Sequence, residues 1–177
     1  MENRKEEYIT NEDNTVRYVL GKYNKNPLCV FGINPSIATA EKNDNTISIV
    51  ENIAELRKCD GYLMFNIYPF RATKIDKDFP NTLQEKIVTD NVNYIEQRII
   101  EGMEVIAAWG THIEDREFFI NALEAINKVV LKKKAKWICL SKTNKGHPHH
   151  PTRLAYNNMS FEEFDMNTYI EKIKKKI

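Results

Sequence analysis

Apolar and polar positions divide the chain into short apolar runs separated by amphipathic stretches. Four short apolar runs, typical of strands covered on both faces, lie at residues 28–31, 62–65, 105–108 and 136–140. The amphipathic stretches, with apolar residues at helical spacing, lie at about residues 46–58, 82–101, 111–130 and 160–177. Strands that alternate with helices in this way predict right-handed crossovers onto a parallel sheet.

Local signals refine the ends of the predicted helices. A Thr or Ser followed three residues later by Glu is a capping-box pattern, and it occurs at residues 82–85, 111–114 and 160–163. We therefore expect three helices to begin at these positions. Gly61 and Gly102 follow apolar stretches and predict the ends of the two helices before them.

The N-terminal region adds one more expected strand. Residues 1–13 are polar and predict a flexible arm. Residues 15–20 are β-prone and predict a hairpin with residues 28–31 across the turn-rich residues 21–27. The expected fold is a single α/β domain over residues 14–177. It is a three-layer α/β/α sandwich with a central, mainly parallel four-stranded sheet and an N-terminal hairpin strand.

Composition narrows the class of protein without indicating an activity. The net charge is +1, so no overall field favours nucleic acid or a membrane as partner. The three cysteines are widely spaced and indicate buried thiols in a reducing compartment. The first residues are too polar for a signal peptide, and no apolar run approaches transmembrane length. A cytoplasmic protein without a membrane partner is expected, and its oligomeric state stays open.

Candidate chemistry collects after the predicted strands. The carboxyl ends of parallel strands meet at one edge of the sheet, where ligands bind in open α/β folds. All four histidines fall in two of the loops at this edge, which core periodicity does not require. We expect one pocket there, with these candidate residues: Asn34, Ser36, Asn66, Tyr68, Arg71, Trp109, His147, His150 and Thr152.

Each candidate also has a purely structural interpretation. The two asparagines suit a turn and a strand end, Arg71 suits a solvated loop, and Trp109 suits the core. The histidines suit a loop stiffened by prolines. A sharper alternative is a metal site formed by His147, His149 and His150, although zinc usually takes longer ligand spacings or added Cys or carboxylate ligands.

Several segments together resemble known families. The segments R-Y-V-L (17–20), G-I-N-P-S (32–36), N-I-Y-P-F-R-A-T (66–73), A-W-G (108–110) and G-H-P-H-H-P (146–151) resemble a bacterial and phage domain family of unknown function. More distantly, the same segments resemble the uracil-DNA glycosylase superfamily, whose fold is α/β/α. The order and spacing of the segments agree with that superfamily.

The second resemblance implies roles for individual residues. It implies that Asn34 positions the hydrolytic water, that Asn66 reads the edge of the base and that His150 stabilises the departing base. The sequence departs from the superfamily's motifs at several positions. The water-activating Asp of the classical enzymes has no match in the first motif, and Arg153 and Leu154 stand where the classical loop has a short intercalating segment. Ser36 stands where the resembled first motif has Gly, and Thr152 stands where the last motif has Ser.

The expected function is hydrolysis of an N-glycosidic bond in DNA, a nucleoside or a nucleotide, without a cofactor. In this interpretation Tyr68 or Trp109 stacks on the base, Arg71 holds a phosphate, and Glu41 or Asp44 supplies a carboxylate. One alternative is a non-catalytic module that binds a nucleotide or modified base, in phage defence or counter-defence. The other is a metal-dependent hydrolase built on the histidine cluster.

Overall fold

The computed structural model describes residues 4–39, 42–73, 79–155 and 159–176. Glu41, considered above as a carboxylate, lies outside this part of the chain. The described strands are β1 (Lys5–Thr10), β2 (Arg17–Tyr23), β3 (Pro27–Gly32), β4 (Gly61–Asn66), β5 (Glu104–Ala107), β6 (Lys136–Cys139) and β7 (Glu162–Glu163). The described α-helices are α1 (Asn45–Leu56), α2 (Glu85–Glu96), α3 (Phe118–Lys132) and α4 (Met166–Lys174).

All seven strands belong to one mixed sheet in the order β1-β2-β4-β3-β5-β6-β7. The four predicted core strands form its centre, and β4, β3, β5 and β6 run parallel to one another. The outer pairings, β1 with β2, β2 with β4 and β6 with β7, are antiparallel. The expected α/β class is therefore confirmed, but within the described residues the sheet has seven strands rather than four and is mixed rather than mainly parallel.

The predicted hairpin between β2 and β3 is wrong, because β4 lies between these two strands. Hydrophobic periodicity identifies a strand but does not identify its neighbour. Gly21 permits the observed pairing of β2 with β4. A Cβ at Gly21 would lie 2.7 Å from the Leu63 side chain and 2.8 Å from the Tyr62 carbonyl oxygen. The close approach of two strand backbones therefore explains why a glycine stands there.

The expected flexible arm over residues 1–13 instead contains β1, which forms the N-terminal hairpin with β2. A buried carboxylate, Glu7, anchors this polar strand. Three polar side chains contact the Glu7 carboxylate, namely Lys5, Tyr23 and Arg98. Burial opposes ionisation of Glu7, but these hydrogen bonds and ion pairs prevail and lower its pKa to about 2. A pattern of apolar positions does not indicate an ion-pair network of this kind, so it did not predict β1.

Helices cover both faces of the sheet. The apolar side of α1 packs against one face, and the apolar sides of α2, α3 and α4 pack against the other. Among the described residues, no helix has the length and apolar character needed to cross a membrane. The layered arrangement leaves the carboxyl edge of β3, β4 and β5 free for loops.

The capping-box patterns predicted that helices form in these regions, but they did not predict the first residues of the helices correctly. The pattern at residues 111–114 lies in a 3-10 helix, Gly110–Asp115, and α3 begins only after it. The pattern at residues 160–163 includes β7, and α4 is capped by Asp165, which accepts from the Thr168 backbone N–H at 3.0 Å. The first α2 residue is Glu85, and no side chain caps it.

Candidate functional site

A cavity of about 400 Å³ opens at the carboxyl edge of the central strands. Its walls come from the ends of β3 and β4, the turn after β5, the start of α1 and the loop that follows β6. Six of the nine predicted site residues line it, namely Asn34, Ser36, Asn66, Trp109, His150 and Thr152. Sites of this volume at this edge of an α/β sheet are typical of small-molecule binding.

Asn66 is the most unusual polar residue of the cavity. It is the last residue of β4, and its exposure is 1%. Neither its amide nitrogen nor its amide oxygen has a hydrogen-bond partner among the described residues. Its neighbour across the sheet is Gly32, where a Cβ would lie 2.9 Å from Asn66 Nδ2. Asn91 of α2 holds the strand end from behind by donating to the Asn66 carbonyl oxygen at 2.9 Å. A buried, unpartnered amide is costly in the free protein and fits a ligand-binding role.

Asn34 is held in a fixed orientation at the rim of the same cavity. Its Nδ2 donates to the Ala72 carbonyl oxygen at 2.8 Å and to the Pro35 carbonyl oxygen at 3.1 Å. Two carbonyl partners identify this atom as the nitrogen, because an amide oxygen cannot donate. The Asn34 Oδ1 forms no hydrogen bond within the described ranges. It therefore remains an acceptor that can orient a water or a ligand.

His150 presents a neutral imidazole to the cavity. The Thr152 backbone N–H donates to His150 Nδ1 at 3.4 Å, and the Thr152 hydroxyl oxygen lies 2.8 Å from the same atom. An accepting Nδ1 places the proton on Nε2. Burial lowers the pKa of His150, as do the charges of Arg153 and His112, so the ring is neutral at pH 7. The imidazole can therefore donate one hydrogen bond from Nε2 to a developing negative charge.

The glycine after Trp109 brings the histidine loop to the strand end. Gly110 has φ of +68°, a left-handed conformation that favours glycine, and its N–H donates to the Pro148 carbonyl oxygen at 3.0 Å. A Cβ at Gly110 would lie 3.5 Å from the His150 Cβ. Close contact between the two loops thus positions His150.

Two predicted residues face other parts of the molecule. Tyr68 is fully buried, and its ring centroid lies 5.0 Å from that of Phe118. Arg71 donates to the Tyr8 hydroxyl oxygen at 2.7 Å, on the N-terminal hairpin. Neither residue lines the cavity, so the expected stacking by Tyr68 and phosphate binding by Arg71 do not fit this geometry.

The tryptophan and the first histidine of the loop belong to the core. Trp109 touches the cavity, but its exposure is 0% and its indole N–H donates to the Tyr169 hydroxyl oxygen at 2.9 Å. His147 does not line the cavity. Its Nδ1 lies 2.9 Å from the Tyr169 hydroxyl oxygen, and its Nε2 lies 3.1 Å from Glu114 Oε1. These two side chains were expected to bind the ligand, but in the structure they pack against α4.

The proposed histidine metal site does not assemble. His149 and His150 line the cavity, whereas His147 is directed towards α4 and Glu114. Within the part of the chain that the structure describes, no group of three or more His, Cys, Asp or Glu side chains is arranged to hold a metal ion. The sequence spacing of the three histidines did not reveal that His147 contacts a different part of the molecule from His149 and His150.

Among the described residues, three Arg or Asp side chains line the cavity, namely Arg17, Asp44 and Arg153, and the sequence predicted only Asp44, as one of two alternative carboxylates. Arg17, at the start of β2, lines the cavity with an exposure of 3%. Asp44 caps α1, since its side chain accepts from the Ile47 N–H at 3.0 Å, and it also lines the cavity. The signal that could have identified Arg17 is its position directly before the apolar residues 18–20 of β2.

Comparison with known proteins identifies a family. Residues 17–152 match the model of the family described as protein of unknown function (DUF1643). The chain belongs to this family. The matched range begins at Arg17 and ends at Thr152, so it spans every cavity element described above. No curated protein and no solved structure matches the chain.

Proposed function

We propose that this DUF1643 protein hydrolyses the N-glycosidic bond of a nucleobase-containing ligand, with a pocket like that of the uracil-DNA glycosylase superfamily. The observation that carries the proposal is the buried Asn66 amide, which lines the cavity and whose donor and acceptor have no partner in the described part of the chain. A nucleobase with adjacent carbonyl and N–H groups satisfies both atoms at once. The resemblance of segments 32–36, 66–73 and 146–151 to that superfamily supports the same assignment.

The remaining cavity residues fit the steps of this reaction. Water adds to the anomeric carbon as the C–N bond breaks, and the base leaves with the electron pair of that bond. Asn34 Oδ1 accepts a hydrogen bond from the attacking water and orients it. The Nε2–H group of His150 donates to the departing base, whose negative charge develops in the transition state. Asp44 is the carboxylate of the cavity that can receive the proton of the water.

The test is the release of free bases from DNA, RNA and nucleotide pools, detected by mass spectrometry. Replacement His150→Ala removes one donor to the developing charge, and we expect base release to fall about 100-fold or more. Replacement Asn34→Ala should also reduce base release, because the attacking water is then no longer held in a fixed orientation. Asn43→Ala is the matched control, because Asn43 contacts Glu51 at 2.9 Å and does not line the cavity. Unchanged release by both cavity variants would exclude these roles.

A second candidate is a module that binds a nucleotide or modified base without turnover. The observation in its favour concerns the carboxylate. Among the described lining residues, Asp44 is the only Asp or Glu, and one of its oxygens already accepts from the Ile47 N–H as the cap of α1. Stable capture of a ligand that depends on Asn66, with no base released over hours, would favour this candidate over hydrolysis.

A further inference from the structure

Arg17 is a buried cation without a carboxylate partner among the described residues. Its Nη1 donates to the Ala38 carbonyl oxygen at 2.9 Å, its Nε has no partner, and no ion pair forms with it in the described segments. Burial and the neighbouring charge of Arg71 lower its pKa to about 10, against a smaller opposing effect of Asp44, so it is charged at pH 7. A buried charge that is neither paired nor fully hydrogen-bonded destabilises the free protein. This cost is removed when a ligand brings an anion.

The surroundings of Arg17 also favour an anion. The charged side chains among the described lining residues are Arg17, Arg153 and Asp44, which leaves an excess of one positive charge when the histidines are neutral. The 12-residue helix α1 begins at the cavity, and Thr46 and Ile47 of its first turn line the wall. The positive end of the helix dipole therefore adds to the field of the guanidinium.

We propose that Arg17 binds a terminal phosphate group of the ligand, so that the site takes a nucleotide in preference to a free base, a nucleoside or a polynucleotide. The planar guanidinium fork fits two phosphate oxygens. A terminal phosphate can enter a recess because it is the end of the ligand. A phosphodiester cannot end there, because the nucleic-acid chain continues on both sides of the phosphate. The exposure of Arg17 is 3% and that of its acceptor residue Ala38 is 1%, so the guanidinium occupies such a recess.

This inference rests on the proposed function, because it assigns the phosphate of the ligand whose base contacts Asn66. Arg17 lies on β2 and Asn66 lies at the end of β4, the strand that β2 pairs with. The two residues thus line the same cavity from adjacent strands. A single nucleotide is the ligand class that provides an amide-like edge and a terminal anion together.

The test compares ligands that differ only by the phosphate. Each common nucleoside and its 5′-monophosphate are titrated calorimetrically into wild-type protein and into Arg17→Gln. We expect the monophosphate to bind at least about tenfold more tightly than the nucleoside to wild type, as for a hydrogen-bonded charged group. The ratio should fall to about one in Arg17→Gln. Arg57→Gln is the matched control and should keep the preference, because Arg57 pairs with Glu104 at the far end of α1.

A second measurement does not depend on the folding of a variant. The second ionisation of a phosphate monoester has a pKa of about 6. Affinity of wild-type protein for the monophosphate should therefore rise between about pH 5 and pH 7, relative to the affinity for the nucleoside at each pH. Equal affinity for the monophosphate and the nucleoside at pH 7 would contradict phosphate binding by Arg17.

The outcomes separate the two proposals. Equal binding of nucleoside and monophosphate, dependent on Asn66, would overturn the phosphate site and leave the base site. A rise in melting temperature with inorganic phosphate that Arg17→Gln abolishes, without binding of any nucleoside or nucleotide, would support an anion site and overturn the proposed function. Tight, Arg17-dependent binding of an oligonucleotide that lacks terminal phosphates would overturn the preference for a nucleotide.

Discussion

The unpartnered amide of Asn66 predicts a conflict between stability and binding. In Asn66→Leu the two amide atoms are replaced by methyl groups of similar shape. A buried polar group without a partner costs about 1–3 kcal/mol, and an apolar group of the same shape avoids this cost. The Asn66 amide is such a group, because neither of its polar atoms has a partner among the described residues. We therefore expect the free energy of unfolding to rise by about 1–3 kcal/mol, and binding of the nucleobase ligand to be lost.

The matched control is the same substitution at the asparagine behind the strand. Asn91 is buried like Asn66, and its Oδ1 is also without a partner among the described residues, but its Nδ2 donates to the Asn66 carbonyl oxygen at 2.9 Å. Asn91→Leu removes that donor, which costs about 1–3 kcal/mol and offsets the gain from removing the unpartnered oxygen. We therefore expect Asn91→Leu to leave the free energy of unfolding unchanged or lower, in contrast to the rise expected for Asn66→Leu.

Urea denaturation at pH 7, followed by circular dichroism, gives both free energies, and thermal melting provides a second reading. A change of 1 kcal/mol corresponds to about 2–4 °C in a chain of this size. The reasoning is refuted if Asn66→Leu destabilises the protein. In that case the Asn66 amide stabilises the fold, and the structural interpretation of a strand-end asparagine is the correct one.

Three further predictions test other parts of the molecule. Gly32→Ala places a Cβ 2.9 Å from the Asn66 amide nitrogen, so ligand affinity should fall about tenfold or more while the fold is retained, as measured by calorimetry and circular dichroism. Glu7 has a pKa of about 2, below its unfolded value, so it stabilises the fold above about pH 4.5 and this contribution is lost as pH falls towards 2. Glu7→Gln should therefore flatten that part of the curve of unfolding free energy against pH. The substitution should also lower the unfolding free energy at pH 7, because Arg98 loses its partner. Burial lowers the pKa of His147, so its neutral form stabilises the fold above the unfolded pKa of about 6.5, and the unfolding free energy falls as the pH drops below about 6.5. His147→Gln should weaken this dependence of stability on pH, as measured by thermal melts between pH 5 and 7.5.

Local sequence patterns were sufficient for the core elements. The apolar runs that predict β3, β4, β5 and β6 lie at the centre of the sheet, because a continuous apolar run is stable only where both faces are covered. Helix positions followed from the 3.6-residue period in the same way. Patterns of helix caps were less informative, since the Thr and Ser residues of these patterns also suit turns and 3-10 helices.

Local sequence patterns predicted only some features of the loop at residues 66–73. Its sequence indicated that polar side chains follow a buried strand, and Asn66 does line the cavity. The directions of the other side chains depend on backbone contacts with distant segments. The Arg71 N–H donates to the Thr15 carbonyl oxygen at 2.8 Å, and the Ala72 N–H donates to the Pro35 carbonyl oxygen at 3.1 Å. These contacts turn Arg71 towards the hairpin and leave Ala72 beside the cavity.

The sequence by itself determined the α/β class, the identity of the central strands and the edge at which Asn34, Asn66 and His150 collect. These features depend on periodicity and on the common direction of parallel strands, which are local or follow from simple topology. Only the tertiary structure decided that β4 separates β2 from β3, and that Arg17 enters the cavity while Arg71 leaves it. Strand order and loop direction are set by contacts between residues far apart in the chain, and one sequence read alone does not reveal which distant residues meet.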